Sequence, residues 1–392
     1  MDHLITCNEN NAIQNAIDTA AANGGGRVVL TPGTYLSGTI YLKNNVELHL
    51  EAGAVLLGHP TPELYDDFND LPHFDFAPEN SRKCLIAAKN CRNIAITGYG
   101  EINGQGPAFY DTNVPTGNFF NKPPHPRPRL IQLYNCQNVF IENVSVIDSP
   151  GWSVLLTKCD NVKINGVTIA GCQQMINNDG IDLDGCSRVH ISDCTIRTGD
   201  DCIVVRALRH NQEEAAICEH ITVTNCTLDS HCQGIRIGCP SDDTIRHCVF
   251  SNLTISGRCN GIYCESPVRY LSSNCTGYLN VHDILFDNID IDCARYPIRL
   301  ICEDGIILRA FKRFTFSNIR IRSGYAVELR GNAGTPIEDI VLDNVTGTVE
   351  NDTPLFLKYV KHLKMNNVDL TGCTGEITPL VRGESTSWEA AR

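Results

Sequence analysis

The sequence lacks several features that would place it in common classes of protein. The sequence of 392 residues contains no run of about 18 apolar residues, so no transmembrane helix is expected. It has no excess of positive charge, because 45 acidic residues outnumber 32 basic ones and give a net charge of −13. Nucleic acid and membrane are therefore not expected as partners, since polyphosphate surfaces attract clustered cations. The same charge mildly disfavours a long polyanionic polymer as substrate.

The N-terminus also lacks a secretion signal. "MDHLITCNENNAIQNAID" has neither a basic flank nor an apolar stretch like that of a signal peptide. We therefore expect a cytoplasmic protein whose 20 cysteines are reduced thiols. No convincing paired Cys-x-x-Cys arrangement is present, and Cys259 and Cys264 are too isolated to indicate a zinc site. We expect no metal ion and no cofactor, and the sequence does not indicate an oligomeric state.

Short repeated segments dominate the rest of the sequence. The segments "NCRNIAITG", "NCQNVFIENVSV", "KCDNVKINGVTI", "GCSRVHISDCTI" and "ICEHITVTNCTL" align, and the rhythm continues as far as "HLKMNNVDL". Most repeats lie 22 to 35 residues apart, a spacing typical of solenoids. β-Branched and polar residues alternate within each repeat, and Gly, Asn and Asp cluster between repeats, which predicts short strands joined by turns. The shared cysteines are Cys91, Cys136, Cys159, Cys186 and Cys218.

This pattern predicts an all-β fold, a right-handed parallel β-helix of about ten coils that forms one domain over residues 1–392. The shared cysteines are small and apolar, so we expect them to stack inside the coils. The helix in "NAIQNAIDTAAANGGG" is predicted to cap the first coil, with residues 1–30 as the N-terminal cap region. Residues 62–80 and 104–129 are longer loops that we expect to be walls of a cleft. Leucine-rich repeats are the alternative, but the leucine spacing does not fit them.

One strand of each coil can be aligned through the segments "WSVLL", "DGIDLD", "DCIVVR", "QGIRIG", "NGIYCE" and "YPIRLI". Alternation along each strand then predicts outward-facing columns. The first column contains Trp152, Asp179, Asp201, Gln233 and Asn260; the second contains Leu155, Asp182, Val204, Arg236, Tyr263 and Arg299; the third includes Asp184, Arg206 and Glu265. Neighbouring coils are about 4.8 Å apart, so Asp179 and Asp201 are expected to lie close together, with Asp200 beside them.

Three carboxylates on one exposed face indicate a catalytic site rather than ordinary turn residues. Repulsion between neighbouring carboxylates favours protonation of one of them, which can then act as a general acid. The others can deprotonate a water molecule on the opposite face of a sugar ring, as in glycosidic cleavage with inversion. We therefore predict Asp179, Asp200 and Asp201 as catalytic residues.

Other residues near these carboxylates are candidates for substrate binding. The ring of Trp152 could stack on a sugar, and a partly buried structural tryptophan is the equally open alternative. His231 lies at a turn and could bind substrate, although a solvated turn histidine is the simpler interpretation. The other candidate substrate-binding residues are Asn177, Asp182, Arg206, Gln233, Arg236, Tyr263, Glu265 and Arg299.

These residues resemble glycoside hydrolase family 28, the polygalacturonase family of right-handed parallel β-helices, and the resemblance covers nearly the whole chain. Asn177 and Asp179 match its Asn-Thr-Asp motif, with Asn178 in place of threonine, and the triplet Gly199 to Asp201 matches its Gly-Asp-Asp motif. The resemblance implies that Asp200 is the general acid and that Asp179 and Asp201 hold the attacking water.

Two other family motifs are absent. Gln233 replaces the histidine of Gly-His-Gly, and Tyr263 and Glu265 replace the two cations of Arg-Ile-Lys that grip a substrate carboxylate. We expect Glu265 to repel a galacturonate, while Arg236 and Arg299 could hold an anionic group at a shifted place; a neutral sugar fits equally well. The chain is thus interpreted as a divergent, exo-acting, inverting glycosidase for a small pectin-derived or related oligosaccharide. The alternatives are a non-catalytic carbohydrate-binding β-helix and a calcium-dependent polysaccharide lyase.

Overall fold

A computed structural model describes residues 2–6, 11–68, 81–115, 117–123, 125–209, 214–272, 275–373, 379–382 and 388–390. The chain divides into two units, Met1–Asp200 and Asp201–Arg392, and each is described by itself. Both consist of short parallel strands joined by turns, so the predicted right-handed parallel β-helix is confirmed as the fold class. The expectation of a single domain stays a prediction. None of the helices in the described ranges is both long and apolar enough to cross a membrane.

The first unit has one regular helix, two 3₁₀ turns and a long series of strands among its described residues. These elements are α1 (Ala12–Ala22), the 3₁₀ turns Pro62–Leu64 and Gly106–Phe109, and the strands β1 (Asp2–Ile5), β2 (Gly26–Leu30), β3 (Gly33–Ser37), β4 (Ile40–Tyr41), β5 (Val46–Leu50), β6 (Ala54–Gly58), β7 (Cys84–Lys89), β8 (Arg92–Gly98), β9 (Glu101–Asn103), β10 (Arg129–Tyr134), β11 (Gln137–Glu142), β12 (Ser145–Ile147), β13 (Val154–Thr157), β14 (Asp160–Asn165), β15 (Thr168–Ala170), β16 (Ile181–Asp184), β17 (Ser187–Ser192) and β18 (Thr195–Thr198).

The predicted helix at the N-terminus is α1, and it covers the first coil. Its buried residues, Ile13, Ile17 and Ala20, lie on one face as expected for an amphipathic helix. Nε2 of Gln14 donates to the carbonyl of Tyr41 in β4 at 3.1 Å, and Oε1 of Gln14 accepts from the Tyr41 N–H at 2.8 Å. The side chain of Gln14 thus makes the two hydrogen bonds that a neighbouring strand would make. The helix thereby satisfies backbone groups at the edge of the sheet.

Strands β4, β7, β10, β13 and β16 form one parallel sheet of the first unit, here called its front sheet. Its register aligns Val154 with Ile181, as the sequence alignment predicted. The other strands pair coil upon coil in two further parallel rows, β1-β2-β5-β8-β11-β14-β17 and β3-β6-β9-β12-β15-β18.

Side-chain ladders hold these coils together. Cys91, Cys136, Cys159 and Cys186 precede strands that pair in register, and all four are buried free thiols, which confirms the predicted interior stack in this unit. Burial raises the pKa of Cys159 well above its ordinary value, so this thiol is neutral. A second ladder consists of asparagines in the left-handed region, since Asn138 and Asn161 have φ of 55° and 54°. Each donates its side-chain amide to the asparagine of the preceding coil, at 2.8 Å and 2.7 Å.

The second unit contains a 3₁₀ turn and strands that include four unusually long ones among its described residues. They are the 3₁₀ turn Val268–Tyr270 and β19 (Ile203–Arg206), β20 (Cys218–Thr224), β21 (Thr227–Ser230), β22 (Gln233–Ile237), β23 (Thr244–Gly257), β24 (Asn260–Glu265), β25 (Asn280–Cys293), β26 (Ile298–Ile301), β27 (Ala310–Ser323), β28 (Val327–Arg330), β29 (Ile337–Val349), β30 (Leu355–Lys358), β31 (Val360–Lys361), β32 (Leu363–Thr371), β33 (Pro379–Arg382) and β34 (Trp388–Ala390).

The front sheet of the second unit contains β19, β22, β24, β26, β28, β30 and β33. Ile203, Ile235, Ile262 and Ile298 occupy one register position of this sheet, as predicted. The core behind it contains a stack of aromatic rings, in register with Val223 of β20. Phe250, Phe286 and Phe316 are fully buried, and consecutive ring centroids lie 4.9 Å and 5.0 Å apart. Cys218, the fifth shared cysteine, is buried and free at the start of β20.

Candidate active site

The turn that carries Asp200 in the first unit is held by the side chain of Asn178. The Oδ1 atom of Asn178 accepts hydrogen bonds from the backbone N–H groups of Gly199 and Asp200, at 2.7 Å and 3.2 Å. Its Nδ2 atom donates to the carbonyl of Cys172 at 3.1 Å, and the residue is only 1% exposed. Gly199 is required here, because a Cβ atom would lie 2.2 Å from the carbonyl of Met175. The departure from threonine at position 178 therefore supplies both a donor and an acceptor to this turn.

Asn177 orients the carboxylate of Asp200. The backbone N–H of Asn177 donates to Oδ2 of Asp200 at 2.9 Å, and the side-chain amide lies 3.4 Å from the same oxygen. Asn177 has a φ of 59°, a left-handed conformation that asparagine tolerates better than most residues. The hydroxyl of Thr198 donates to the backbone carbonyl of Asp200 at 2.6 Å and fixes the turn from the other side. Asn177 was predicted as a substrate ligand, but in this structure its amide positions Asp200.

A buried arginine that the sequence analysis did not identify supports Asn177. Arg127 is fully buried, and its Nη2 atom donates to Oδ1 of Asn177 at 3.1 Å. Its Nη1 atom donates to the carbonyls of Pro150 and Ile176, at 3.0 Å in each case, and also contacts the hydroxyl of Tyr110. Residues 104–129 were expected to wall a cleft, but this end of the loop packs beneath Asn177. The other predicted wall, residues 62–80, lies outside the described residues from 69 onward.

The remaining predicted residues of the first unit are more buried than expected. Trp152 is 4% exposed, and the guanidinium of Arg129 lies 4.6 Å above the centre of its ring. This burial favours the structural interpretation of Trp152, and the sugar-stacking platform stays a prediction. Asp182 is fully buried, and its role as a substrate contact stays a prediction. All four residues of β16 are buried, which shows that the outward face of this strand is covered, a feature that alternation along a strand cannot reveal. Asp179, just before β16, is 5% exposed.

An arginine holds Asp201 in the second unit. Nη1 of Arg236 lies 3.4 Å from Oδ2 of Asp201, and Nη2 of Arg236 donates to Oε1 of Glu265 at 2.5 Å. All three residues are less than a tenth exposed, so Arg236 attracts both carboxylates with little screening by water. Burial alone would lower the pKa of Arg236, but the neighbouring Cys239, Asp201 and Glu265 raise it well above its ordinary value. Arg236 is therefore a permanent cation that partners Asp201.

Glu265 is an internal anchor rather than a group that faces the substrate. It is 1% exposed and accepts hydrogen bonds from three side chains, including those of Arg269 and Tyr263 at 2.7 Å each. Two arginines compensate its charge, so the expectation that Glu265 itself repels a galacturonate is wrong. Arg269 was not predicted, because it lies in the 3₁₀ turn after β24 rather than on a strand of the repeat. Burial and Glu265 together raise the pKa of Tyr263, which keeps this phenol protonated.

Arg299 is the more accessible cation of the predicted column. Its side chain is 22% exposed, and its Nε atom donates to Oε2 of Glu328 at 2.6 Å. Its guanidinium also lies over the rings of Tyr263 and Tyr296, 5.3 Å and 4.2 Å from the ring centres. The register places Arg299 beside Tyr263 on one side and Glu328 on the other, as the alignment predicted for Tyr263. Both cations of this column are thus already paired with carboxylates.

Three further predicted residues differ in accessibility. Gln233 is 5% exposed, and its Oε1 atom accepts from the Asn260 amide at 2.6 Å. Arg206, at the end of β19, is only 3% exposed, and its role as a substrate contact stays a prediction. His231 is partly exposed in the turn before β22, which leaves both of its interpretations open.

The calcium-dependent lyase alternative would need a calcium site. In the second unit an oxygen of Asp201 lies within 4.8 Å of the Cys232 thiol. A pair of ligands that includes a thiol differs from the all-oxygen shell that calcium takes.

The sequence model of the glycosyl hydrolases family 28 matches residues 68–304, which is more than half of the chain. The chain belongs to glycosyl hydrolases family 28. This family 28 chain is 30% identical to "Probable polygalacturonase" of Vitis vinifera over 203 residues, covering 50% of the chain and 40% of that relative. It is 27% identical to "Probable polygalacturonase At3g15720" of Arabidopsis thaliana over 273 residues, covering 68% of the chain and 50% of that relative. The chain therefore spans about half the length of these curated relatives.

Among solved structures, the family 28 chain is similar to the hyperthermoactive exopolygalacturonase from Thermotoga maritima. The TM-score is 0.72 at 23% sequence identity, and the match covers 92% of this chain and 87% of that one. At this identity the likeness shows a common fold. The low identities to both sequence relatives and this structure agree with the prediction of a divergent member.

Proposed function

We propose that the protein is an inverting glycoside hydrolase in which Asp200 is the general acid and Asp179 and Asp201 are the base pair. In this reaction the bond between the anomeric carbon and the leaving-group oxygen breaks, and that oxygen takes the proton of Asp200. Water attacks the anomeric carbon from the opposite face and gives its proton to the carboxylate pair. Family membership and the two matched motifs support these assignments.

The observation that carries this proposal is the different support of two consecutive carboxyl groups. Asp200 accepts a hydrogen bond from the uncharged backbone amide of Asn177, which stabilises a carboxylate less than an ionic partner does. Asp201 is paired with the buried guanidinium of Arg236, which favours the ionised form that a base requires. Because Oδ2 of Asp200 already accepts the Asn177 N–H, we assign the transferred proton to Oδ1.

The proposed substrate is a small pectin-derived or related oligosaccharide that is cleaved from its end. The exo mode draws on the names of two similar proteins, the Thermotoga maritima exopolygalacturonase and "Exopolygalacturonase" of Zea mays, to which the chain is 23% identical over 308 residues. Arg236 and Arg299 are engaged by Glu265 and Glu328, so a long polyuronate finds few available cations in this column. The cytoplasmic location proposed from the sequence agrees with a small substrate, because large pectin does not enter cells.

The test is to incubate the full chain with a panel of aryl glycosides and pectic oligosaccharides and to follow the anomeric configuration of fresh product by NMR. We expect hydrolysis with inversion at one chain end, weak turnover of polygalacturonate, and activity that a chelator leaves unchanged. An Asp200→Asn preparation provides the matched blank. Binding with no product would favour a carbohydrate-binding β-helix, and an unsaturated, chelator-sensitive product would favour a lyase; either result would reject the proposal.

A further inference from the structure

Two stacked tyrosines lie in the turns that precede front-sheet strands of the second unit. The ring centroids of Tyr296 and Tyr325 are 4.9 Å apart with an interplanar angle of 21°, which is an offset stack. Tyr325 is 45% exposed, whereas most large apolar side chains of this unit are buried. An exposed aromatic face fixed by a second ring beneath it is a rigid surface on which a sugar ring can pack.

Beside Tyr325 is an open cavity of about 440 Å³, within the range of roughly 300–1,000 Å³ that small ligands occupy. Its polar lining comes from Glu350, Asn351 and Asp352, all exposed. Gly324 forms part of its wall, and a Cβ atom there would lie 2.4 Å from the carbonyl of Ala294. A glycine at this position therefore keeps the wall beside Tyr325 clear of a side chain.

The register connects this cavity to Asp201 within the same unit. The pairs Ile203–Ile235, Ile235–Ile262 and Ile262–Ile298 are in register, and so are Arg299 and Glu328. The residues two positions before the four isoleucines therefore share one column, and the register of Arg299 with Glu328 extends it by one coil. The column contains Asp201, Gln233, Asn260, Tyr296 and Tyr325. With coils about 4.8 Å apart, Tyr325 lies about 19 Å along this column from Asp201. That span is longer than a single sugar ring.

Hydrogen bonds join Gln233, Asn260 and Tyr296 within this column. The amide of Asn260 donates to Gln233 at 2.6 Å, and its Oδ1 atom accepts the Tyr296 N–H at 3.1 Å. The N–H of Tyr325 in turn donates to the carbonyl of Arg295 at 3.2 Å. The column thus passes from a carboxylate past two amides, which are 5% and 4% exposed, to two aromatic rings, of which Tyr325 is the accessible one.

We propose that Tyr325 and the cavity beside it form a distal subsite that binds a neutral sugar residue of an oligosaccharide. The carboxylates of Glu350 and Asp352 accept hydrogen bonds from sugar hydroxyl groups and repel the carboxylate of a uronate. The subsite therefore selects neutral sugars over galacturonate at this end of the substrate. As a subsite for a substrate, it rests on the proposed glycosidase function.

The binding test uses the full-length Asp200→Asn chain, which leaves oligosaccharides intact, and calorimetry. The probes are galacto-oligosaccharides of increasing length, up to pentamers, and oligogalacturonides of the same lengths. We expect the longer neutral probes to bind more tightly than the monosaccharide, and Tyr325→Ala to weaken their binding roughly three- to tenfold while the monosaccharide is unaffected. Tyr278→Ala is the matched control, because Tyr278 is 46% exposed in the same unit and lies away from the cavity lining.

A second variant tests the charge selection. Glu350→Gln combined with Asp352→Asn should strengthen binding of the longer oligogalacturonides severalfold, because it removes two negative charges from the cavity. Equal effects of Tyr325→Ala and Tyr278→Ala, no binding of the neutral probes, or oligogalacturonide binding that ignores the double substitution would each overturn the subsite.

Hydrolysis by the chain with Asp200 intact separates this proposal from the proposed function. Length-dependent binding that requires Tyr325 without any hydrolysis would support the subsite and reject the glycosidase. Hydrolysis whose KM is independent of both Tyr325 and substrate length would support the glycosidase and reject the subsite.

Discussion

Asp200 and Asp201 are consecutive in the chain but are supported by different chemistry. In the first unit, Asp200 accepts from the Asn177 amide, and Asn178 holds the turn that carries it. In the second unit, Asp201 lies against the buried guanidinium of Arg236, which Glu265 also binds. This difference is the basis of the opposite proton roles proposed above for two identical side chains, because an uncharged amide stabilises a carboxylate less than a guanidinium does.

The largest expected effect comes from removing the proton chemistry itself. Asp200→Asn keeps the shape of the side chain, and we expect turnover to fall about 10²–10⁴-fold, the usual worth of general acid–base catalysis. Asp179→Asn and Asp201→Asn should cause losses of the same order. Steady-state kinetics on an activated glycoside measures them, and the three losses should be far from additive because the groups act as one unit. Full activity of any single variant would exclude that residue from the mechanism.

Breaking the arginine support should mainly affect stability. Arg236→Met leaves Glu265 and Asp201 without their shared buried cation, and we expect a loss of about 3–5 kcal/mol in the free energy of unfolding. Arg320→Met is the matched control, since Arg320 and its partner Asp290 are 75% and 50% exposed, and such a pair contributes about 0–1 kcal/mol. Urea unfolding compares the two variants. Similar losses of unfolding free energy in the two variants would mean that the buried ion pairs of Arg236 stabilise the fold no more than the exposed ion pair of Arg320 does.

The amide support of Asp200 can be weakened without touching a carboxylate. Asn178→Thr restores the family's residue, but a threonine hydroxyl cannot replace an amide that accepts two N–H groups and donates to Cys172. We expect a loss of about 1–3 kcal/mol in stability, the cost of leaving buried polar groups unsatisfied, together with lower turnover. Calorimetric melting and kinetics of Asn178→Thr test this, with Asn113→Thr as a control, because Asn113 is exposed and does not have a left-handed backbone. Unchanged stability and turnover would show that the turn does not depend on Asn178.

Asp148 and Asp243 are a second pair of carboxylates with different partners, one in each unit. Their difference predicts a smaller effect, on the pH dependence of stability. Burial raises the pKa of Asp148, although the Cys172 N–H opposes the effect. Burial also acts to raise the pKa of Asp243, but the Ala216 N–H and Arg209 together lower it below the ordinary value of 3.8. The ionised carboxylate of Asp243 therefore stabilises the fold when the pH is above the unfolded-state pKa. This contribution is lost as the pH falls through the folded-state pKa. Asp148 behaves oppositely, since its contribution is present at low pH and is lost as pH rises through its folded-state pKa.

The measurement is the pH dependence of unfolding for the two asparagine variants. Asp243→Asn should be destabilising at neutral pH and less so in strong acid, whereas Asp148→Asn should be neutral or stabilising at neutral pH. Parallel pH dependences for the two variants would contradict the assigned partners.

Much of the fold could be predicted because the repeats encode it locally. The stack of Cys136, Cys159 and Cys186 and the register of Val154 with Ile181 follow from residues that recur at a fixed place in each coil. Repetition of this kind fixes which side chains lie above one another, even without knowledge of the loops. The catalytic candidates were accessible to sequence reasoning for the same reason.

The support of the site could not be predicted, because it depends on residues outside the repeat. Arg127 reaches Asn177 from a long loop, and Arg269 reaches Glu265 from a 3₁₀ turn. Alternation along a strand also could not reveal the cover above Asp182 and Trp152, which are buried although both were candidates for substrate binding. The signal available in the sequence was weak: basic residues in the loop "PPHPRPR" of an acidic chain.

The central claim, that Asp200 delivers the proton while Asp201 does not, is tested most directly by the leaving-group dependence of the two asparagine variants. Aryl glycosides whose phenols range from weakly to strongly acidic differ in how much protonation the leaving oxygen needs. We predict that kcat/KM of Asp200→Asn approaches that of the unsubstituted chain as the phenol becomes more acidic, while Asp201→Asn remains impaired across the whole series. Rescue of Asp201→Asn, or no rescue of Asp200→Asn, would contradict the division of roles between the two carboxylates.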